Sequence, residues 1–501
     1  MKKLILLLLT PLLCVDQNDL KKIVFLLIVP LINFGQEFQT TLPIIIVDTE
    51  NNTILDDPRI VANMGIINND SGLNKLTDKY NDYNGKISIE LRGSSSQDLF
   101  PKKSYSLETQ TWNGENNNVS LLGLPEENDW ILYGPYSDKT LLRNSLTYDL
   151  SRQMGYYAPR TKYCELFINN EYQGIYILTE KIKRDKNRVD IKKTQKDDLT
   201  GGYIIKIDKF TDAPIDAAWC SNFITFNNDL VCFQYHYPKA DDITIDQKLY
   251  IENFMNTIYY SIQEMKEKQT HIDLVENINF NSFIDYFIIS ELSKNVDAYR
   301  ISTFLYKDSD EKNGALNMGP VWDYNLSFGN VDFCKSSEVS GWILQEETAC
   351  RTSIPMYWND LIQNDSFRNK LSDRWFELRD NTLSIENIFN NIDSISQHIA
   401  NPQNNNFETW DVLSEYIWPN YQLGQTYQDE ISFLKYWIYY RIQWIDNNIN
   451  EMRMIFPDCN SNEKKLVKIV NQLGQVSHHK KNELVFYIYD NGCVERNFIT
   501  Y

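Results

Sequence analysis

Apolar residues recur at one period in the first half of this chain and at another in the second. Leu42 to Val47 is a continuous apolar run, and Lys86 to Leu91 alternates, with Ile87, Ile89 and Leu91 on one face. Ser104 to Glu108 alternates again. Two β-rich runs, Tyr163 to Ile168 and Tyr172 to Thr179, flank the turn pair Asn169-Asn170, which predicts a hairpin. Gly201-Gly202 introduces a further strand, Tyr203 to Ile207. Leu142, Leu146 and Leu150 recur at helical spacing and Gly155 ends that run. Beyond it the period becomes helical: Gln247 to Lys268, Phe280 to Asn295, Trp358 to Leu378 and Glu430 to Met452, with only Leu316 to Trp322 reading as a short strand. Thr382 to Asn406 reads as helix plus loop. The last helix carries Phe433, Trp437, Tyr440 and Trp444, read as a stripe packed on a core. The expected class is α+β, β-rich first and helical second.

At 501 residues the chain exceeds one ordinary core. A net charge of -19 repels phosphate backbones and anionic lipid, which argues against nucleic-acid or membrane-surface binding. It also requires any phosphate site to bring its own cations or metal. Lys2-Lys3 and Lys21-Lys22 each precede an apolar run shorter than the roughly 18 to 20 residues of a spanning helix. Lys21 to Gly35 is the expected secretory signal, with the upstream stretch an over-extended gene start, and no stable transmembrane anchor is expected. Cys14 lacks the small residue that precedes a lipoprotein cysteine. Export permits disulfides, and the pairs Cys220 with Cys232 and Cys334 with Cys350 are close enough to close short loops. Cys164 reads as a buried small hydrophobe. Five His and no C-x-x-C argue against zinc.

Several residues fit the requirements of phosphoryl transfer, in a sensible order. Arg92-Gly93-Ser94-Ser95-Ser96 is a polar, flexible connection whose backbone can approach an anion. Lys102 and Lys103 follow it into a strand; alternation sends only one of them into a cleft, and Lys103 is favoured. Glu180 ends an apolar strand and would hold that lysine as an ion pair. Asp297 falls just past a helix, where a catalytic-loop carboxylate belongs. Asp323 is expected at the end of the strand Leu316 to Trp322, with Asn325 two residues on, both oxygen ligands suited to magnesium. Each has a bland counterpart: a serine turn, edge lysines, a surface carboxylate, an Asx turn.

The ordered set Arg92-Gly-Ser-Ser, Phe100-Pro-Lys-Lys-Ser-Tyr, Leu142-Arg143-Asn144, Gly174-Ile-Tyr-Ile-Leu-Thr-Glu180, Gly202-Tyr, Glu291, Asn295-Val-Asp297, Gly319-Pro-Val-Trp-Asp323 and Phe328-Gly329 resembles the spore-coat H (CotH) kinase-like family, from about Leu42 to Asn450. The resemblance implies an atypical protein-kinase-like fold, a β-rich N-terminal lobe over a helical C-terminal lobe, spanning residues 36–457. It implies ATP with Mg²⁺ or Mn²⁺, and a protein kinase acting on Ser, Thr or Tyr of an exported protein. Carried over, it places Lys103, Glu180 and Asp297 in catalysis. Arg92, Gly93, Ser94, Ser95, Lys102 and Arg143 fall at the nucleotide, and Asp323 and Asn325 at the metal. The family commonly shows Trp-Asp-x-Asp, whereas this chain has Trp322-Asp323-Tyr324-Asn325. One charge fewer at a metal site leaves a catalytically dead surface or adhesion protein as the alternative.

After a linker at 458–463, residues 464–501 form a small β-unit with an expected turn at Asn491-Gly492 and a Leu473-Gly474-Gln475 turn before it. Leu484, Phe486 and Ile488 are expected on one face, Tyr487 and Tyr489 on the other. This tail resembles the C-terminal sorting tails of type IX secretion cargo in the Bacteroidota. The resemblance implies the type IX secretion machinery as partner and an extracellular or cell-surface destination; the alternative is a small hairpin capping the main domain.

Overall fold

The computed structural model describes residues 38–210, 215–345, 353–452 and, in the tail, 465–471, 476–477, 483–489 and 494–499. The signal region, the linker and the two tail turns lie outside them. Short strands β1 (Gln39–Thr40) and β4 (Asn74–Lys75) pair with each other. Seven others close into a barrel: β2 (Ile44–Asp48), β3 (Ile60–Ile67), β5 (Tyr83–Arg92), β6 (Ser104–Gln110), β7 (Asp129–Tyr133), β8 (Thr161–Ile168) and β9 (Glu171–Glu180). The pairing runs β2-β3-β5-β6-β7-β9-β8 and returns to β2. Every pair is antiparallel except β2 with β8, in register from Ile44 opposite Glu165 to Val47 opposite Ile168. Alternation decides what fills it: Ile87 and Ile89 are wholly buried inside with Leu107, Trp130, Leu166 and Leu178, and Leu91 packs against them. Cys164 is buried there too, as expected. The hairpin β8–β9 turns on Asn169 and Asn170, both at positive φ (50° and 66°).

A second sheet has strand order β11-β12-β10-β13-β14: β10 (Tyr203–Ile207), β11 (Ala218–Ile224), β12 (Leu230–Tyr237), β13 (Thr303–Lys307) and β14 (Leu316–Met318). A disulfide joins Cys220 to Cys232 across β11 and β12. Cys334 is also disulfide-bonded; Cys350, its expected partner, lies outside the described residues. The helices are α1 (Ser95–Leu99), α2 (Arg143–Gln153), α3 (Ile245–Lys268), α4 (Phe280–Ser293), α5 (Tyr357–Gln363), α6 (Asp365–Arg379), α7 (Ile385–His398), α8 (Pro402–Thr409) and α9 (Tyr427–Asn448). One large core joins α2 through α9, the second sheet and the outward faces of β8 and β9. Among the described residues no helix is long and apolar enough to cross a membrane.

Four local expectations change. The Gly-Ser connection is not open: a turn of helix, α1, begins at Ser95 directly after Gly93 (φ 110°). The strand expected to reach Trp322 stops at Met318, because Gly319-Pro320 follows and proline has no N–H for the ladder. The single helix from Trp358 to Leu378 is two, since Asn364 turns the chain and its Oδ1 accepts the Phe367 N–H (3.1 Å) to cap α6. On α9, Trp437 is buried but Tyr440 is 41% exposed, so the packed face runs through Ile431, Leu434, Ile438 and Ile442. In the tail, β15 (Leu466–Asn471), β16 (Glu483–Tyr489) and β17 (Val494–Ile499) pair in sequence order and, among the described residues, with no strand of the rest. Leu484, Phe486 and Ile488 are half-buried, while Val485, on the face of Tyr487 and Tyr489, is wholly buried.

Candidate functional site

Helix α4 ends at Lys294, which takes left-handed backbone (φ 46°) and sends the chain into Asn295-Val296-Asp297. Val296 is buried and anchors this loop. Asn295 ties it to the next: its Oδ1 accepts the Asp297 N–H (3.3 Å) and its Nδ2 donates to the Asp323 carbonyl (3.3 Å). Arg300 donates from Nη2 to Asp297 Oδ1 (2.9 Å), fixing one carboxylate oxygen.

Asp323 stands in a loop after β14, at φ 61°, held by helix α2. Asn144 and Tyr148 are four residues apart and so share a helical face. Asn144 Oδ1 accepts the Tyr324 N–H (2.6 Å) and the Tyr148 hydroxyl accepts the Asp323 N–H (3.1 Å). Arg143 donates from Nε to the Ser327 carbonyl (2.9 Å). The Tyr148 ring stacks on Trp322 (centroids 6.0 Å apart), and the Arg92 guanidinium lies 5.2 Å from the Trp322 ring centre.

Burial, and then the neighbouring Asp297 charge, push the Asp323 carboxyl up to about 7; Arg92 and Lys209 pull the other way and Asp208 adds to the rise. Asp297 is raised by burial, opposed by Arg300 and Lys209, with Asp208 again adding. Five charged groups from four segments thus lie within each other's field: Arg92 at the end of β5, Asp208 and Lys209 after β10, Asp297 after α4, and Asp323 after β14. Lys209 Nζ donates to Ser95 Oγ (3.0 Å), spanning from the second sheet to α1. Behind them, burial and then the charges of Lys206, Lys181 and Arg92 hold His236 down at about 4, although its Nε2 sits 2.9 Å from the Ile182 carbonyl.

Residues 89–445 match the family model described as CotH kinase protein. The chain belongs to the CotH kinase family. No curated protein sequence matches it. Among solved structures it is similar to the Helicobacter pylori proinflammatory kinase CtkA, at 10% identity over 67% of this chain and 94% of that one, with a TM-score of 0.29. That likeness is too loose to carry a fold assignment.

This CotH-family chain brings together Asp297, Asp323, Arg92 and Ser95 and separates other residues of the expected set. Lys103 turns back on its own loop: its Nζ donates to the carbonyls of Gln97 (2.5 Å) and Phe100 (2.7 Å), closing the C-terminal end of α1. Glu180 is wholly buried and accepts the Arg160 N–H (2.9 Å) and the Tyr157 hydroxyl (3.2 Å), with Arg160 Nη1 3.3 Å away. The expected Lys103–Glu180 ion pair is not formed. Lys102 is buried and donates to the Ile175 carbonyl and to Asn406 Oδ1 (both 2.7 Å), a clasp between β9 and α8 rather than a phosphate contact. Arg143 is locked in a buried ion pair with Asp138 (2.5 Å) as well as to Ser327, so it braces the Asp323 loop and has no reach to a nucleotide. Gly93 and Ser94 form the entry to α1 beside Arg92. The Asn325 carbonyl accepts from Asn330 Nδ2 (2.9 Å), while its Oδ1 is buried with no hydrogen-bond donor among the described residues.

Sequence reasoning passed over Tyr148, Asp208 and Lys209, and quoted Asn295 only as part of a motif, with no role. Asp208-Lys209 carried the signal used for Asp323, charged residues where an apolar strand runs out; Tyr148 carried none, because its work is across the fold.

Proposed function

We propose that this chain is an ATP-dependent protein kinase transferring the γ-phosphoryl group to Ser, Thr or Tyr of an exported protein, with the barrel and the helical half as the two lobes of the site. The observation that carries this is the convergence of Asp297 and Asp323, from separate loops, on one half-buried place whose field also includes Arg92 and the exposed Lys209. The two carboxylates lie in each other's field and repel, and the unmatched Asn325 Oδ1 adds an oxygen with no donor among the described residues. That donor set suits Mg²⁺ or Mn²⁺, which Asp323 and Asn325 would hold. When bound, the ion supplies charge neutralisation at the phosphates. Asp297 accepts the proton of the acceptor hydroxyl, oriented by Arg300. Arg92, Gly93, Ser94 and Ser95 face the phosphates, and Arg92 with Lys209 supplies the local cations that a chain of net charge -19 requires there.

The alternative reading, a surface protein without catalysis, rests on the amide at Asn325. A thermal-shift titration with ATP and Mg²⁺ or Mn²⁺ separates the two, because a ligand of the native state raises the melting temperature by mass action. A shift with labelled phosphate transfer is expected. A shift without transfer, not restored by Asn325→Asp, would give the non-catalytic reading instead. The signal-like segment and the tail support an extracellular or cell-surface destination reached through type IX secretion.

A further inference from the structure

Most cations around the cleft already have a carboxylate. Lys206 Nζ pairs with Asp208 Oδ2 (2.8 Å), Lys181 with Asp129 (3.5 Å) and Arg300 with Asp297 (2.9 Å). Arg92 and Lys209 form no ion pair among the described residues. Arg92 rests on Trp322; Lys209 is exposed and its ammonium has one hydroxyl partner, Ser95 Oγ. Yet its main chain is firmly placed. Asp208 Oδ1 accepts the Lys209 N–H (2.9 Å), and Gln234 Nε2 donates to the carbonyls of both Asp208 (3.0 Å) and Lys209 (2.9 Å). A fixed backbone with a lysine resting on one neutral hydroxyl is an ammonium held for an anion. Its charge also reaches both Asp297 and Asp323, whereas Lys181 and Lys206 act on His236 at the other side. The cleft therefore has a direction, with Lys209 at the carboxylate end.

Resting on the kinase reading above, we propose that Lys209 is the residue that contacts the terminal phosphate of a nucleoside triphosphate, exchanging the Ser95 hydroxyl for a phosphate oxygen. In the transfer the acceptor oxygen bonds to the γ-phosphorus and the bond from that phosphorus to the β,γ-bridging oxygen breaks. The bridging oxygen leaves with the electron pair on the nucleoside diphosphate, and the hydroxyl proton passes to Asp297. Lys209 contributes charge to the phosphoryl oxygens throughout and neither gains nor loses a proton.

The test compares ATP with ADP, each with Mn²⁺, on the full chain and on Lys209→Met and Lys209→Arg, by calorimetry. An ammonium on the terminal phosphate contributes to ATP and not to ADP. The parent is expected to prefer ATP, and Lys209→Met to lose about ten-fold in ATP affinity with ADP affinity unchanged. Lys209→Arg should recover most of that loss. The site is exposed, so both variants are expected to melt as the parent does. An unchanged ATP-to-ADP ratio in Lys209→Met, or equal loss for both nucleotides, overturns the assignment. If the parent binds neither nucleotide, the kinase reading falls and takes this one with it.

Discussion

Asp323 is the residue where the site's chemistry and the protein's stability pull against each other. Its carboxyl titrates near 7 in the native state against about 3.9 in an unfolded chain, so the native state binds the extra proton. The stability it contributes is complete below about pH 4 and is lost as pH rises through about 7, by roughly 1.4 kcal/mol per unit of displacement. Melting the metal-free protein in EDTA from pH 4.5 to 8.5 should show this decline, and Asp323→Asn should lack it, melting higher than the parent at pH 8. Added Mn²⁺ should restore the parent and leave the variant unmoved. A variant that melts lower than the parent at pH 8 in EDTA would contradict the account. Asp297→Asn should behave otherwise, lowering transfer by about 10²- to 10⁴-fold with little change in nucleotide affinity. The sequence singled out Asp297 for falling just past a helix and Asp323 for following an apolar run, and the structure brings the two into each other's field. Arg143 was misread, since its charge gives no hint that Asp138 neutralises it. Arg143→Met strands a buried carboxylate and should cost about 3–5 kcal/mol in denaturant melts; a selective loss of ATP affinity without destabilisation would return it to the nucleotide.

At the scale of elements, apolar runs, alternation and turn chemistry carried barrel strands β2, β5, β6, β8 and β9 and the Asn169-Asn170 hairpin, and helical spacing carried α2; β3 and β7 were not read. Lys102 and Lys103 both precede β6, and they part there, Lys102 to β9 and α8 and Lys103 to its own loop. Which face looks at the cleft depends on α8, more than 300 residues further along, and no local pattern contains that. Helix α8 seats on β9 through Asn406, whose Oδ1 accepts both Lys102 Nζ and the Ile175 N–H (3.1 Å). It comes this close only because residue 174 is glycine: φ is 93°, and a Cβ there would lie 2.6 Å from Asn406 Oδ1. Gly174→Ala should therefore destabilise by about 1–3 kcal/mol, measured by urea melting. Lys102→Met should keep the parent's ATP affinity per folded molecule, whatever it does to stability. A Lys102→Met protein that is folded but no longer binds ATP would show that the clasp description misses a phosphate contact.

For the whole molecule, the α+β class and the switch from strand to helix were readable from hydrophobic period. The closed barrel and the five-stranded sheet were not, because β2 with β8 and β10 with β13 pair residues far apart in sequence. Among the described residues the tail strands pair only among themselves, so removing residues 464–501 should leave melting and nucleotide binding of the remainder unchanged. Under the sorting proposal the truncated protein should collect in the periplasm; its arrival in the medium would end that proposal. The barrel itself imposes an order in time. A ribosome releases β2 long before β8, its parallel neighbour, exists. Until Glu165 and the residues after it emerge, Ile44 to Asp48 must wait with one ladder unmade, in a sheet that has two bare sides. A nascent chain stalled short of Glu180 therefore carries a ready template for pairing with its neighbours on a polysome, a hazard that vanishes when β9 inserts between β7 and β8 and closes the ring.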